Sequence, residues 1–315
     1  MTVSIAVIGS GHMGSLHAEK VAALRDSGAG VDLAGVADIV GQKATELATK
    51  CGTRAYTENL PLLAAADAAI VAVPTVEHFR VVRDALDAGC DVLVEKPIAA
   101  DLVEAQKLLE RAEGHGRILQ VGHQEWFNAA IETLSDRIRS PRFVEIVRVG
   151  PFQGRATDTD VVRDLMIHDL DIVQQLLGQE PERIEAVGVK VLTKKLDLAS
   201  ARLEFGSGCV ANLTASRVSR RPKRKLRLFQ SDICLSLDLI NQTASVTQAS
   251  VGDDSEVRTE TIDVEPRDAL MRQLRSFVRA VETREPPRVN GANGLGALRT
   301  ALRVLDAVET PEPSR

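Results

Sequence analysis

The chain has 315 residues and a mass of 34.0 kDa, enough for about two domains, and its 44% hydrophobic and 26% charged residues exclude wholesale disorder. A net charge of −5, from 39 basic and 44 acidic residues, argues against nucleic acid as a partner, and 3% aromatic residues argue against a base-stacking platform. No apolar run approaches a membrane span, and the N-terminal Met1-Thr2-Val3-Ser4 carries neither a basic segment nor an apolar signal core, so no membrane partner and a cytoplasmic location are expected.

Strand-like runs at Val3–Ile8, Val31–Ala37, Ala69–Val73, Val92–Val94 and Ile118–Val121 are apolar at successive positions, as strands covered on both faces are. Helical patterns at His12–Arg25, Gln42–Lys50, His78–Ala88 and Leu102–Ala112 lie between them. This alternation predicts an α/β Rossmann domain, a doubly wound parallel sheet, over residues 1–122. After Gly122 the rhythm changes. A helix over about Glu125–Ile138 and a strand at Phe143–Val149 lead through a polar loop to a helix over about Val162–Leu177. Strands follow near Ile184–Val191, Ala199–Phe205, Cys209–Ala215, Leu226–Phe229, Ile233–Leu237 and Val257–Val264, with Gly206-Ser207-Gly208 as a hairpin turn. Helices at about Arg267–Thr283 and Leu295–Val308 close the chain. Residues 123–315 therefore read as an α+β domain with an open, mostly antiparallel sheet. Cys51, Cys90, Cys209 and Cys234 have no C-x-x-C spacing and read as reduced thiols.

The first strand runs into Gly9-Ser10-Gly11-His12-Met13-Gly14, a G-x-G-x-x-G between strand and helix. Gly9 permits the turn, Gly11 lets a pyrophosphate approach the backbone, and Gly14 allows the helix to pack on the strand. The helix N-terminus offers free N–H groups to the phosphates, with His12 beside them. Asp38 ends the second strand, 24 residues beyond Gly14, where an acid accepts hydrogen bonds from ribose hydroxyls. A carboxylate there repels a 2′-phosphate, so NAD is expected over NADP. The alternative is that Asp38 caps the next turn.

Two further segments, Val71-Ala72-Val73-Pro74-Thr75-Val76-Glu77-His78 and Val92-Leu93-Val94-Glu95-Lys96-Pro97, together with the glycine loop, resemble the Gfo/Idh/MocA oxidoreductases, the second matching their Glu-Lys-Pro signature. The resemblance covers essentially the whole chain. It implies nicotinamide binding, with cofactor contacts along Val73, Pro74 and Thr75 and at Glu95, Lys96 and Pro97. It also implies a C-terminal domain that binds substrate and whose open sheet serves oligomerisation, giving a homodimer or homotetramer. Gly122-His123-Gln124-Glu125-Trp126-Phe127-Asn128, Asp164-Leu165-Met166-Ile167-His168-Asp169 and Ala215-Ser216-Arg217-Val218-Ser219 resemble a bacterial sub-branch that oxidises the 3-hydroxyl of UDP-N-acetylglucosamine, a step toward lipid A. Where that sub-branch has Arg-Phe-Asn-Pro, this chain has Trp126-Phe127-Asn128-Ala129.

Oxidising an alcohol needs a base within hydrogen-bond reach of the hydroxyl. Asp164, His168, Asp171 and Gln175 are spaced 4, 3 and 4 and share one helix face, while Met166, Leu170, Val173 and Leu177 form an apolar one. Alone, the polar set reads as a solvated face. The resemblance makes Asp164 and His168 an Asp-x-x-x-His motif beside the nicotinamide, with His168 the leading base and Asp164 either orienting His168 or Lys96 or stabilising its charge. Lys96 follows a strand end, where ligands bind in such sheets, and is positioned to stabilise an alkoxide or to act as the base itself. Glu95 has two readings, a ribose contact or a strand-end hydrogen bond, and His78 likewise stands between the cofactor edge and a helix-start role. His17 and His115 read as surface residues. No third and fourth ligand accompany Asp164 and His168, so no metal is expected.

The stretch Arg217, Arg220, Arg221, Lys223, Arg224, Lys225 and Arg227 is either a solvated run or a clamp for a diphosphate, with Arg217 and Arg220 the better candidates for the clamp. Arg155, Thr157 and Asp160 in the polar loop are candidates for a sugar pocket. The leading reading is an NAD-dependent dehydrogenase of a nucleotide-sugar. The alternatives are the same chemistry on another sugar or cyclitol, and a dinucleotide-binding regulator without turnover.

Overall fold

The computed structural model describes residues 2–154, 159–249 and 257–309. The chain divides into two compact units, the first built from 1–124 and 270–295 and the second from 125–269 and 296–315.

The first unit alternates β1 (Val3–Ile8), α1 (His12–Asp26), β2 (Val31–Ala37), α2 (Gly41–Cys51), β3 (Ala55–Tyr56), α3 (Asn59–Leu63), β4 (Ala68–Val71), α4 (Thr75–Asp87), β5 (Asp91–Val94), α5 (Leu102–Gly114) and β6 (Leu119–Val121). The strands pair in parallel in the order β3-β2-β1-β4-β5-β6. β4 is buried at every position, as its unbroken apolar sequence requires, and β5 is buried throughout as well, Asp91 included. The order reverses between β1 and β4, which creates a crevice at their carboxyl ends. The short β3 and α3 escaped the sequence reading because two and five residues carry no measurable period. Helix α4 begins at Thr75, directly after Pro74, rather than at His78.

The second unit opens with a 3₁₀ turn shared with the first (Gln124–Phe127), then α6 (Ala129–Leu134) and a 3₁₀ turn at Ser135–Arg137. One continuous helix was expected here. Asn128 interrupts it, because its extended backbone and its side chain, which accepts from Ala130 N–H, make it an N-cap. β7 (Phe143–Val149) is followed by a π-helical turn (Val162–Met166), α7 (Ile167–Leu177), β8 (Arg183–Val189), β9 (Leu198–Glu204), β10 (Val210–Ser216), β11 (Lys223–Phe229), β12 (Ile233–Asp238), β13 (Thr243–Ala249) and β14 (Val257–Ile262). These eight strands form one sheet, β14-β13-β12-β11-β7-β10-β9-β8, antiparallel except for the β7–β10 pair. One face is buried, with Ile146, Leu213, Leu226 and Leu237 at or near zero exposure. The opposite face of β7–β10 carries a groove lined by Glu145, Val187, Arg202 and Thr214.

One boundary differs from the sequence reading. Helix α8 (Ala269–Thr283), expected in the domain over 123–315, supplies Leu274, Phe277, Val278 and Val281 to the same core as Ile5, Val21 and Leu33 of the first unit. Its apolar stripe at 270, 274, 277, 278 and 281 announces a buried face but not which core receives it. Helix α9 (Gly291–Glu309) begins in the first unit and belongs to the second from Gly296 onward. No helix among the described residues is long and apolar enough to cross a membrane.

Candidate functional site

Gly9 has φ +99°, and a Cβ there would stand 2.6 Å from Ala72 O, so the turn after β1 closes directly on the segment after β4. A Cβ on Gly14 would meet Gly9 O at 1.8 Å, which fixes how closely α1 starts against the loop. Around Gly11 the opposite holds: a Cβ would meet nothing within 4 Å, so its backbone faces open space. The Ser15 N–H donates to Gly11 O at 2.9 Å as the helix begins, and no side chain caps the N–H groups ahead of it. Ser10 Oγ is buried and has no hydrogen-bond partner among the described residues. His12 is exposed and Met13 half-buried on the first turn of α1. An uncapped, positively polarised helix end behind an open glycine suits the pyrophosphate of a dinucleotide.

Asp38 takes the turn-capping role considered for it and also holds the glycine loop. Its Oδ1 accepts the Val40 N–H at 2.8 Å, capping the turn, and its Oδ2 accepts the Ser10 N–H at 2.7 Å, joining the acid to the glycine loop. A carboxylate has about four acceptor positions, so two hydrogen bonds leave it able to bind ribose hydroxyls.

On the other side of the crevice, Val73 and Thr75 are half-buried and Pro74 is exposed. Beyond β5, Glu95 is 8% exposed, Lys96 is half-buried, and Pro97 is buried and joined to Lys96 by a cis peptide bond. His78 is buried, with Nδ1 2.7 Å from Pro97 O and Nε2 3.0 Å from Val73 O. Burial pushes its pKa down despite the two carbonyls, and a neutral ring donates to one of them. The ring therefore braces the backbone between Val73 and Pro97, the structural of its two expected roles, instead of lying open to a cofactor. His17 corrects the sequence reading outright. It is fully buried, and its Nε2 lies 2.8 Å from Glu95 Oε1. Its place on the stripe Gly14, His17, Ala18, Val21 of α1 was the available signal. His115, half exposed, is the surface residue expected.

In the second unit, His168 is 8% and Asp171 1% exposed, so the shared polar face of α7 is buried and not solvated. Gln175 donates to Asp171 Oδ1 at 2.8 Å across one turn. Asp164 is half-buried within the π-helical turn, a local widening of the helix that recurs at functional sites. The sequence reading missed Arg148. It falls on the inner face of the alternation in β7, where it binds Asp169 and Glu125. Asp160 is buried and takes Arg163 as a partner at 2.6 Å, closing its own turn. Arg155 and Thr157 lie outside the described residues.

The basic stretch divides. Arg217 is 6% exposed, with Nε on Asp197 Oδ1 at 2.9 Å and Nη2 on the carbonyls of Thr159 and Leu196. Its guanidinium clamps its own unit, which corrects the expectation that it clamps a diphosphate. Arg220 is exposed. Along β11, Lys225 pairs with Asp238 at 2.7 Å, and Arg227 lies over the Phe229 ring and near Glu145. The stretch is thus largely a charged outer strand face. Ala129, standing where the sub-branch has proline, donates its N–H to Gln242 Oε1 at 3.2 Å, a bond that proline cannot make.

Residues 3–123 match the oxidoreductase family with an NAD-binding Rossmann fold, and residues 140–233 match the GFO/IDH/MocA C-terminal domain. The chain belongs to the Gfo/Idh/MocA oxidoreductase family. Within this family it is 39% identical to UDP-N-acetylglucosamine 3-dehydrogenase of Acidithiobacillus ferrooxidans over 307 residues, covering 96% of each chain. A crystal form of that enzyme superposes with a TM-score of 0.93, at 38% identity over 98% of each chain. The myo-inositol 2-dehydrogenase of Thermotoga maritima is 25% identical, covering 93% of this chain and 92% of its own. The Rossmann sheet and the mostly antiparallel second sheet are therefore family architecture, and the chain is an oxidoreductase.

Proposed function

We propose that this Gfo/Idh/MocA oxidoreductase is an NAD-dependent dehydrogenase that oxidises the 3-hydroxyl of UDP-N-acetylglucosamine to a ketone, a step toward lipid A. The observation that carries the reading is the 39% identity to an enzyme of that activity along 96% of the chain. The open space at Gly11 and the uncapped start of α1 support dinucleotide binding, and the Asp38 carboxylate favours NAD over NADP by charge. Four free cysteines fit a reducing, cytoplasmic setting. The groove-bearing face of the second sheet, with Val187 58% exposed, is the proposed surface of a homodimer or homotetramer.

The bound nicotinamide supplies the acceptor for the two electrons and hydrogen leaving the sugar carbon. The protein's own part is proton transfer. Lys96 hydrogen-bonds the substrate oxygen and stabilises negative charge on it, and His168 takes the hydroxyl proton, with Asp164 favouring the charged imidazole. Gly9, Ser10, Gly11, His12, Met13 and Gly14 hold the pyrophosphate, Asp38 the adenosine ribose, and Val73, Pro74, Thr75 and Glu95 the remaining cofactor edge. Arg220, together with Arg155 and Thr157, is assigned to the nucleotide-sugar.

The test is NADH formation from NAD and UDP-N-acetylglucosamine, with a 2-oxoacid-driven system recycling the cofactor. A 3-keto product is expected, and Lys96→Ala and His168→Ala should each lower turnover by about 10² or more. Near-full activity in both variants overturns the residue assignment. Absence of product despite NAD binding overturns the substrate and directs the search to cyclitols, the second reading, which the similarity to the Thermotoga inositol enzyme supports.

A further inference from the structure

The buried pair formed by His17 and Glu95 joins two parts of the cofactor crevice. His17 lies on α1, the helix that starts at the glycine loop, and Glu95 immediately precedes Lys96 beyond the end of β5. The two are 78 positions apart in sequence. The His17 ring is fully buried, and its Nδ1 has no hydrogen-bond partner among the described residues. An imidazolium would bury an unsatisfied N–H, so the favoured state is a neutral ring with its proton on Nε2, donating to the carboxylate. Glu95 is thus the charged member. Its Oε2 lies on the side of Gly122, where a Cβ would come within 3.0 Å of it.

We propose that His17 is a positioning residue of the cofactor site, whose Nε2–H keeps the Glu95 carboxylate ionised and turned so that its other oxygen is available to a ribose hydroxyl of the nicotinamide half. This rests on the cofactor reading above. Histidine is well suited to the task. It reaches from the helix with a donor while presenting an otherwise apolar ring to the core beside Ala18 and Val21. The titratable and charged groups facing Glu95 are His17 from α1, Lys96 beside it in sequence, and His78 from α4. His123, beyond β6, also interacts electrostatically with Glu95 and Lys96. Burial raises the Glu95 carboxyl, but the His17 hydrogen bond and then the nearby positive charges outweigh it and hold it below its usual range. Without the His17 donor, the burial effect is opposed only by the more distant charges, and Glu95 takes up a proton at higher pH.

The experiment is NADH affinity, read by calorimetry on the full chain at pH 6 and pH 8, for wild type, His17→Leu and His17→Gln. Glutamine places an amide N–H near the position of Nε2, whereas leucine fills the space without a donor. We expect His17→Leu to bind about tenfold or more weakly at pH 6 while losing much less at pH 8, and His17→Gln to track wild type at both. In a Glu95→Gln background, His17→Leu should cause no further loss. Equal weakening of the leucine and glutamine variants at both pH values means that His17 serves packing alone and overturns the proposal, as does wild-type affinity in His17→Leu. Should His17→Leu fail to fold, the glutamine variant decides, since loss of affinity there has the same consequence. Wild type that binds no NADH at either pH overturns the cofactor reading itself, and this proposal with it.

Discussion

Arg148 grips Asp169, the residue next to His168, with Nε 3.0 Å from both carboxylate oxygens and Nη2 2.6 Å from Oδ1. Its Nη1 reaches Glu125 Oε1 at 2.7 Å, and Arg224 joins the same oxygen at 3.1 Å. Two cations thus face two carboxylates where α7 meets β7, β11 and the turn at Glu125. Burial alone would favour a neutral Arg148, but Asp169 and Glu125 outweigh it and keep the guanidinium charged. Replacing Arg148 by methionine leaves buried carboxylates uncompensated and should cost about 3–5 kcal/mol, measured by denaturant unfolding. Arg148→Lys keeps the charge without the two-pronged geometry and should cost less than the methionine variant. A methionine variant as stable as wild type would show that the pair contributes nothing.

Asp38 governs cofactor choice in this reading. Both of its oxygens already hold backbone N–H groups, so the carboxylate is fixed in place before any ligand arrives. NADH should bind at least about tenfold more tightly than NADPH, because the extra phosphate brings like charges together. Asp38→Ser should narrow the difference. Titration of both cofactors decides it, and tighter NADPH binding by wild type contradicts the assignment.

Two buried histidines set an acid limit on stability. Burial pushes His123 down to about 3, with the Lys96 charge adding to the effect, and burial likewise lowers His78. In the unfolded chain both titrate near about 6.5. As pH falls below that value the unfolded state takes up protons that the folded state refuses, so stability falls. The expected slope is about 1.4 kcal/mol per pH unit from His123, with His78 adding in the same direction, and it is absent above neutrality. Chemical unfolding at pH 5 and pH 7.5 measures it, and His123→Gln should reduce the difference between the two.

Asp197 anchors the turn after β8. Its Oδ2 accepts the N–H groups of Val191, Leu192 and Thr193 at 2.6–2.8 Å, and its Oδ1 takes the Thr193 hydroxyl and Arg217 Nε. Burial raises this carboxyl, but the three backbone donors and the hydroxyl outweigh it and hold it well below its usual range. A depressed carboxyl stabilises the fold above the unfolded value near about 3.9, and that contribution is lost as pH drops through the folded value. Asp197→Ala should lower stability by about 3 kcal/mol or more at neutral pH, since it strands Arg217 in a buried site. A thermal midpoint equal to wild type rules this out.

Several features were legible in the sequence because local chemistry dictates them. The glycine loop follows from the conformational demands of a strand-to-helix turn, and the central strands follow from apolar residues at successive positions. The spacing of Met166, Leu170 and Val173 identified an apolar helix face, and all three are buried. The alternation in Phe143–Val149 was equally readable, yet its consequence for Arg148 was not drawn, because a charged residue on an inner face has meaning only once its partner is known.

What the tertiary structure decided are relationships between distant positions. His17 and Glu95, Arg148 and Asp169, and Arg217 and Asp197 are each joined across 20 or more residues, and a pairing of that kind leaves no trace in local periodicity. Arg217 stood in a basic stretch that read as a solvated run or a ligand clamp, and it is buried on Asp197 instead. Helix α8 likewise carried a clear apolar stripe, but only packing reveals that it returns to the first core. A sequence states which side chains must be buried or paired, since burial free energy belongs to the residue. The identity of the partner belongs to the fold, since it depends on where the backbone brings two segments together.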